Sequence, residues 1–134
     1  NMDDNFNDSQ NADADESEDY FTATALDRQE ARDEAIDVLK LISESEEASA
    51  EEKADAQSKI SKIALDIQNE ANIETLVKAK GFEDCIAVIS EDSVTVVVSA
   101  DELMASQTAQ ILTIVYETTG IEPSKVSIIN KGVN

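Results

Sequence analysis

Residues 72–130 read NIETLVKAKGFEDCIAVISEDSVTVVVSADELMASQTAQILTIVYETTGIEPSKVSIIN, and the alternation of helical and strand patterns along this stretch decides the fold. Asn72 is suited to cap a short helix from Ile73 to Lys80 that turns Ile73, Leu76 and Val77 inward, with Gly81 as its left-handed terminator. The period then drops to two. Residues 84–90 and 93–99 are rich in Val, Ile and Thr, and the two residues between them, Glu91 and Asp92, are short enough for a hairpin. A hairpin turn of that length demands positive φ, which Asp92 tolerates better than Glu91.

Ser99-Ala100-Asp101-Glu102 has the S-x-x-E spacing of a capping box. Behind it, Met104, Thr108, Ile111, Leu112 and Val115 form a helical stripe that Gly120 ends, and Pro123 blocks its resumption. Residues 125–130 complete the set as a third strand. These elements predict an α+β domain with a three-stranded sheet and its helices on one face, the other face being open to water or to a partner. We expect the crossover into the third strand to skip a position, as in a split βαβ unit, which puts 84–90 in the centre and 93–99 at an edge. An edge made of Val94, Thr95, Val96, Val97 and Val98 has no interior charge to discourage pairing. Either something within the monomer covers it, or it is a partner interface.

Upstream, residues 20–45 contain no Gly or Pro and predict one long helix, with Ala31, Ala35, Val38, Leu39 and Ile42 on one stripe. Asp27 with Glu30 resembles a capping box, and Thr22 or Thr24 would serve an earlier start. The acidic run around Glu44, Glu46 and Glu47 opposes the dipole at a helix C-terminus and breaks it. A capping box at Ser49 and Glu52 starts a second helix with the stripe Ala56, Ile60, Ile63, Ala64 and Ile67. The pair should form an antiparallel hairpin or extend the core of the domain that follows. The boundaries expected from the sequence are therefore an arm over 1–19, N-terminal helices over 20–71 and the α+β unit over 72–134.

The arm has eight acidic residues, no basic ones and a single aromatic, Phe6, so composition predicts disorder there. Net charge is −20, divided as −8, −7 and −5 over those three segments. Every segment is acidic. Such a chain repels phosphate backbones and anionic lipid surfaces, which argues against nucleic acid as a partner. No apolar run approaches the length of a membrane span.

The 134 residues include no His, and the three glycines at 81, 120 and 132 cannot form a phosphate loop. Nothing in the sequence points to an enzyme, a cofactor or a metal. Residues 13–19 superficially suggest a calcium loop, but Glu18 stands where the loop needs Gly and Thr24 where it needs its closing Glu. Asn7-Asp8-Ser9 matches a glycosylation sequon within an Asn- and Asp-rich stretch, as chance would produce. Cys85, in the apolar run 85–89, reads as a small buried hydrophobe.

The segment Glu51-Glu52-Lys53-Ala54-Asp55-Ala56-Gln57, the run from Asn72 through Lys80-Gly81-Phe82-Glu83-Asp84, and the helix end Glu117-Thr118-Thr119-Gly120-Ile121 resemble the extracytoplasmic domain of the stage III sporulation protein AH family of endospore-forming Firmicutes. The resemblance covers residues 20–132. It implies a ring-building motif, helix–strand–strand–helix–strand, preceded by two long helices. It also implies a structural, non-enzymatic role as one subunit of an intercellular channel between mother cell and forespore during sporulation. The partners it implies are stage II sporulation protein Q in the forespore membrane, further copies in a homo-oligomeric ring, and other stage III sporulation A proteins. The parent protein would be anchored in the mother-cell membrane upstream of Asn1, with this domain in the space around the forespore. From the residues alone, a second reading stands beside it: an acidic adaptor whose arm and Ser43–Glu47 segment bind a basic partner or accept phosphate.

Overall fold

A computed structural model describes residues 12–132. Helix α1 runs Ala12–Glu44 and α2 Ala50–Lys78; strands β1 (Cys85–Ser90) and β2 (Ser93–Ser99) follow, then α3 (Ala105–Thr119), a 3-10 turn (Pro123–Lys125) and β3 (Val126–Lys131). The fold class is the α+β arrangement expected from the sequence.

Several local readings change. Helix α1 begins at Ala12, inside the stretch expected to be disordered. No Gly or Pro interrupts the chain from Ala12 to Glu44, so the helix of the following segment extends back through it. That helical backbone also rules out a calcium loop over 13–19. Residues 1–11, with the sequon at Asn7, lie outside the described residues.

No short third helix exists. Helix α2 passes through Asn72 without a break, so this residue is a mid-helix position and not a cap, and the boundary expected at 71/72 falls within one helix. Ala56, Glu70, Ile73 and Val77 are its buried residues. Burial that continues across the Asn outweighs the few tenths of a kcal/mol, up to about 0.7, that Asn costs in a helix. The Ser49 capping box does form: the Glu52 N–H donates to Ser49 Oγ at 3.0 Å and the Ser49 N–H to Glu52 Oε1 at 2.8 Å. Those contacts hold the Glu52 carboxyl below its usual range, through the Ser49 backbone N–H first and its hydroxyl second.

Ser99 is not a helix cap either. Its hydroxyl accepts from the Asp84 N–H at 2.7 Å, and its own N–H donates to Asp84 O at 3.0 Å, which lengthens the β1–β2 ladder. Helix α3 starts later, where the Met104 N–H donates to Gln107 Oε1 at 2.8 Å. Met104 is exposed, and Ile114 joins Ile111 and Val115 as the buried face. Gly120, at φ +79°, ends the helix as expected.

The sheet order is β1-β2-β3, with β1 antiparallel and β2 parallel to its next neighbour. This overturns the expected order. Strand 93–99 is the centre and Val94, Thr95, Val96, Val97 and Val98 do not form an edge. Val94, Val96 and Val98 pack under α2 and α3, while Val97 is buried on the opposite side with Ile86 and Phe21. Strand β1 is buried on both faces as well; what separates the two strands is that the outer backbone groups of β1 bond to side chains of α1 and α2, so β1 takes an edge and β2 the centre.

The main core joins Ile73 and Val77 of α2, Ile111, Ile114 and Val115 of α3, Phe82, and the strand residues Cys85, Ala87, Ile89, Val94, Val96 and Val98. The sheet face expected to be open is partly closed by α1, which lays Phe21 on Ile86 and Val97 with Tyr20 and Ala25 around them. Tyr20 and Phe21 meet edge to face at 5.5 Å between centroids, and Lys131 Nζ lies 4.9 Å from the Tyr20 ring centre.

The hairpin turn carries its strain at Glu91, at φ +57°, and not at Asp92. Asp92 is instead tied to the start of β3 by an ion pair to Lys125 at 2.6 Å. A left-handed backbone costs a non-glycine residue roughly 1–2 kcal/mol, part of which Asn recovers. Glu91→Asn is therefore expected to stabilise the domain by about 0.5–1 kcal/mol, read as a raised urea midpoint with unchanged slope.

Candidate functional site

A small sheet offers two kinds of surface, its edges and its faces, and here the edges differ. Along β1, successive backbone groups alternate between β2 and the outside. The Ala87 N–H donates outward to Glu74 Oε2 at 2.9 Å, the Ile89 N–H donates to Glu70 Oε2 at 2.7 Å, and the Ala87 carbonyl accepts from Arg28 at 2.5 Å. Side chains of two helices thus stand in for a missing strand. Unsatisfied, those strand groups would be a template for pairing.

The same side chains bind one another. Arg28 pairs with Glu74 at 2.9 Å and lies 3.2 Å from Glu70, while Arg32 meets both Glu70 carboxylate oxygens in a bidentate fork. Only 1% of Glu70 is exposed, and the two arginines keep 15–20% of their side-chain surface. The buried charge is compensated by two guanidinium groups and a backbone donor, as burial of a carboxylate requires.

Neither the arginines nor the glutamates stood out in the sequence. Arg28 and Arg32 are four apart on α1, and Glu70 and Glu74 four apart on α2. In an antiparallel hairpin that spacing lets 28 face 74 and 32 face 70, which is the signal that could have found them. A stripe drawn only through apolar residues misses it: Ala31 is exposed, as are Val38 (56%) and Ile42 (37%), because the packed face runs through Phe21, Ala25, Arg28 and Arg32.

Removing one member of a buried ion pair strands the others. Glu70→Ala is expected to lower stability by about 3 kcal/mol, while Asp55→Ala, which breaks the solvated pair to Lys59, shifts it by no more than about 0.5 kcal/mol. Urea denaturation of the two variants side by side checks the contrast.

Among the described residues, no three His, Cys, Asp or Glu side chains converge to hold a metal ion, and no helix is long and apolar enough to cross a membrane. Exposed apolar side chains line three grooves or patches, beside others scattered singly such as Met104 and Ile129. Leu112, Tyr116 and Pro123 line a groove of about 730 Å³ between α3 and the turn after it; Leu76 and Ile114 line a second between α2 and α3; and Val38, Leu41 and Ile42 lie near the hairpin tip. These are contact surfaces without chemistry.

A family model described as SpoIIIAH-like protein matches residues 1–128. The chain belongs to the SpoIIIAH-like family. A curated relative, stage III sporulation protein AH of Bacillus subtilis (strain 168), is 31% identical over 98 residues, which cover 73% of this chain and 45% of the relative. The chain thus spans less than half the length of that relative. Among solved structures, a chain in the SpoIIQ-SpoIIIAH pore forming complex superposes with a TM-score of 0.78 at 28% identity, over 85% of this chain and 98% of that one.

In this SpoIIIAH-like fold the lone cysteine is a core residue. Burial, with the Glu74 charge second, pushes the Cys85 thiol up to about 12. At pH 8 only roughly one molecule in ten thousand would then carry a thiolate. We expect no reaction with a chromogenic aromatic disulfide in the native protein at pH 8, and one equivalent of colour once urea unfolds it.

Proposed function

We propose that this protein is a structural subunit of an intercellular channel complex between mother cell and forespore, acting by binding SpoIIQ and by assembling with further copies of itself. The observation that carries the reading is the superposition on a chain of the SpoIIQ-SpoIIIAH pore forming complex, which covers 85% of this chain and 98% of the matched one. The physical character of the surface agrees with it. A charge of −20 suppresses indiscriminate contacts and favours a basic counterpart, while the apolar grooves beside α3 offer packing area.

In this reading the parent protein is anchored in the mother-cell membrane and presents the domain to the space around the forespore, where it also meets other stage III sporulation A proteins. It works as a scaffold, with no catalytic step.

The test is direct. The purified chain, mixed with the extracytoplasmic domain of its cognate SpoIIQ at micromolar concentration in moderate salt, should elute from size exclusion as a larger species containing both proteins. Two unshifted peaks would overturn the reading. An acidic adaptor for some other basic protein would give that second result.

A further inference from the structure

The main core joins α2, β1, β2, α3 and Phe82, and among the described residues it takes nothing from α1. Helix α1 is attached by two small patches. One is apolar, Phe21 on Ile86 and Val97 with Tyr20 and Ala25 at its border. The other is polar, Arg28 and Arg32 on Glu70 and Glu74, with Arg28 also donating to the Ala87 carbonyl. Phe21 is the one fully buried residue of α1 among those described, and Leu26, Val38 and Leu41 leave 54%, 56% and 72% of their surface exposed.

Charge opposes the attachment. Residues 12–44 carry eleven acidic and three basic side chains, and residues 45–134 carry sixteen and seven, so the two bodies are both negative. Two of the three basic residues of α1 are the arginines of the polar patch. That patch can also part without leaving a buried charge behind. When α1 leaves, Glu70 keeps the Ile89 N–H and Glu74 the Ala87 N–H, and water takes the place of the guanidinium groups. Strand β1 gives up only the bond to its Ala87 carbonyl.

We propose that α1 is a releasable strap: it lifts as a unit from the domain formed by α2, the sheet and α3, with Arg28 and Arg32 as its catch and Phe21 as its pin. Release uncovers Ile86, Val97 and the Ala87 carbonyl together, so the second face of the sheet is a surface that the molecule shows or hides according to the state of α1. The device goes beyond the scaffold reading and holds whether or not SpoIIQ binds.

Native-state amide exchange on the full chain tests this. A lifted α1 has no packed face, and a solitary acidic helix protects its amides weakly. The amides of residues 22–40 should therefore share one opening, with protection about tenfold or more below that of Val96 and Val98 in the central strand. Equal protection of the two groups would overturn the proposal, because α1 and the sheet would then open only together. A graded series of unrelated rates along 22–40 would overturn it too, since that is fraying and not release.

Two variants complete the test. Ile111→Val trims the main core, which the closed and the lifted states share, so it should speed Val96 and Val98 by about fivefold and leave residues 22–40 within about twofold of wild type. Acceleration of both groups alike would reject an independent α1. Arg32→Ala should speed residues 22–40 by about tenfold or more, where Leu41→Ala, at an exposed position, changes them by less than about twofold. An unchanged rate in Arg32→Ala would remove the catch and the proposal with it. Should that variant not fold, the wild-type protein and Ile111→Val still decide.

Discussion

The fold depends on one buried carboxylate. Glu70 holds Arg32 in a bidentate fork, lies against Arg28, and accepts the Ile89 N–H, so a single side chain fixes α1 to α2 and both to the edge of the sheet. An apolar residue at that position could pack the helices together but could not satisfy the strand. The requirement that buried N–H groups find acceptors sets the choice of a charge over a hydrocarbon, and the charge in turn calls for the two arginines.

From this follows the division of the molecule into closed and open surfaces. Helices α2 and α3 cover one face of the sheet, the Tyr20 and Phe21 end of α1 covers part of the other, and the guanidinium and carboxylate groups close β1. Closure is concentrated on the side nearest the hairpin. The β3 side is bounded by Lys125, paired with Asp92, and by Lys131, whose ammonium lies over the Tyr20 ring.

Much of this was legible in the sequence, and where it was not the cause is physical. Strand and helix periods gave β1, β2, β3 and the two long helices, because period two and period 3.6 are hard to confuse over six or more residues. The Ser49 box and Gly120 were read correctly since both act locally. Ser99 misled because the same hydroxyl that caps helices also serves Asp84 across a ladder, and Asn72 because a capping residue is also tolerated inside a helix that burial sustains. The order of the strands was the larger error. An edge and a centre are distinguished by what bonds a strand's outer backbone groups, and for β1 those partners are Arg28, Glu70 and Glu74, which sit on the two long helices and carry no strand signal.

The hairpin adds a mechanical property. Its turn, at residues 45–49, lies some twenty residues along α2 from Glu70, a reach of roughly 30 Å at 1.5 Å per residue. The Arg28, Arg32 and Glu70 contacts sit near its base. A rotation of about ten degrees there would sweep the tip, with exposed Leu41, through roughly 5 Å over that length. A neighbour that grips the tip thus has leverage on the edge of the sheet, and small adjustments at the base become large displacements at the far end of the arm.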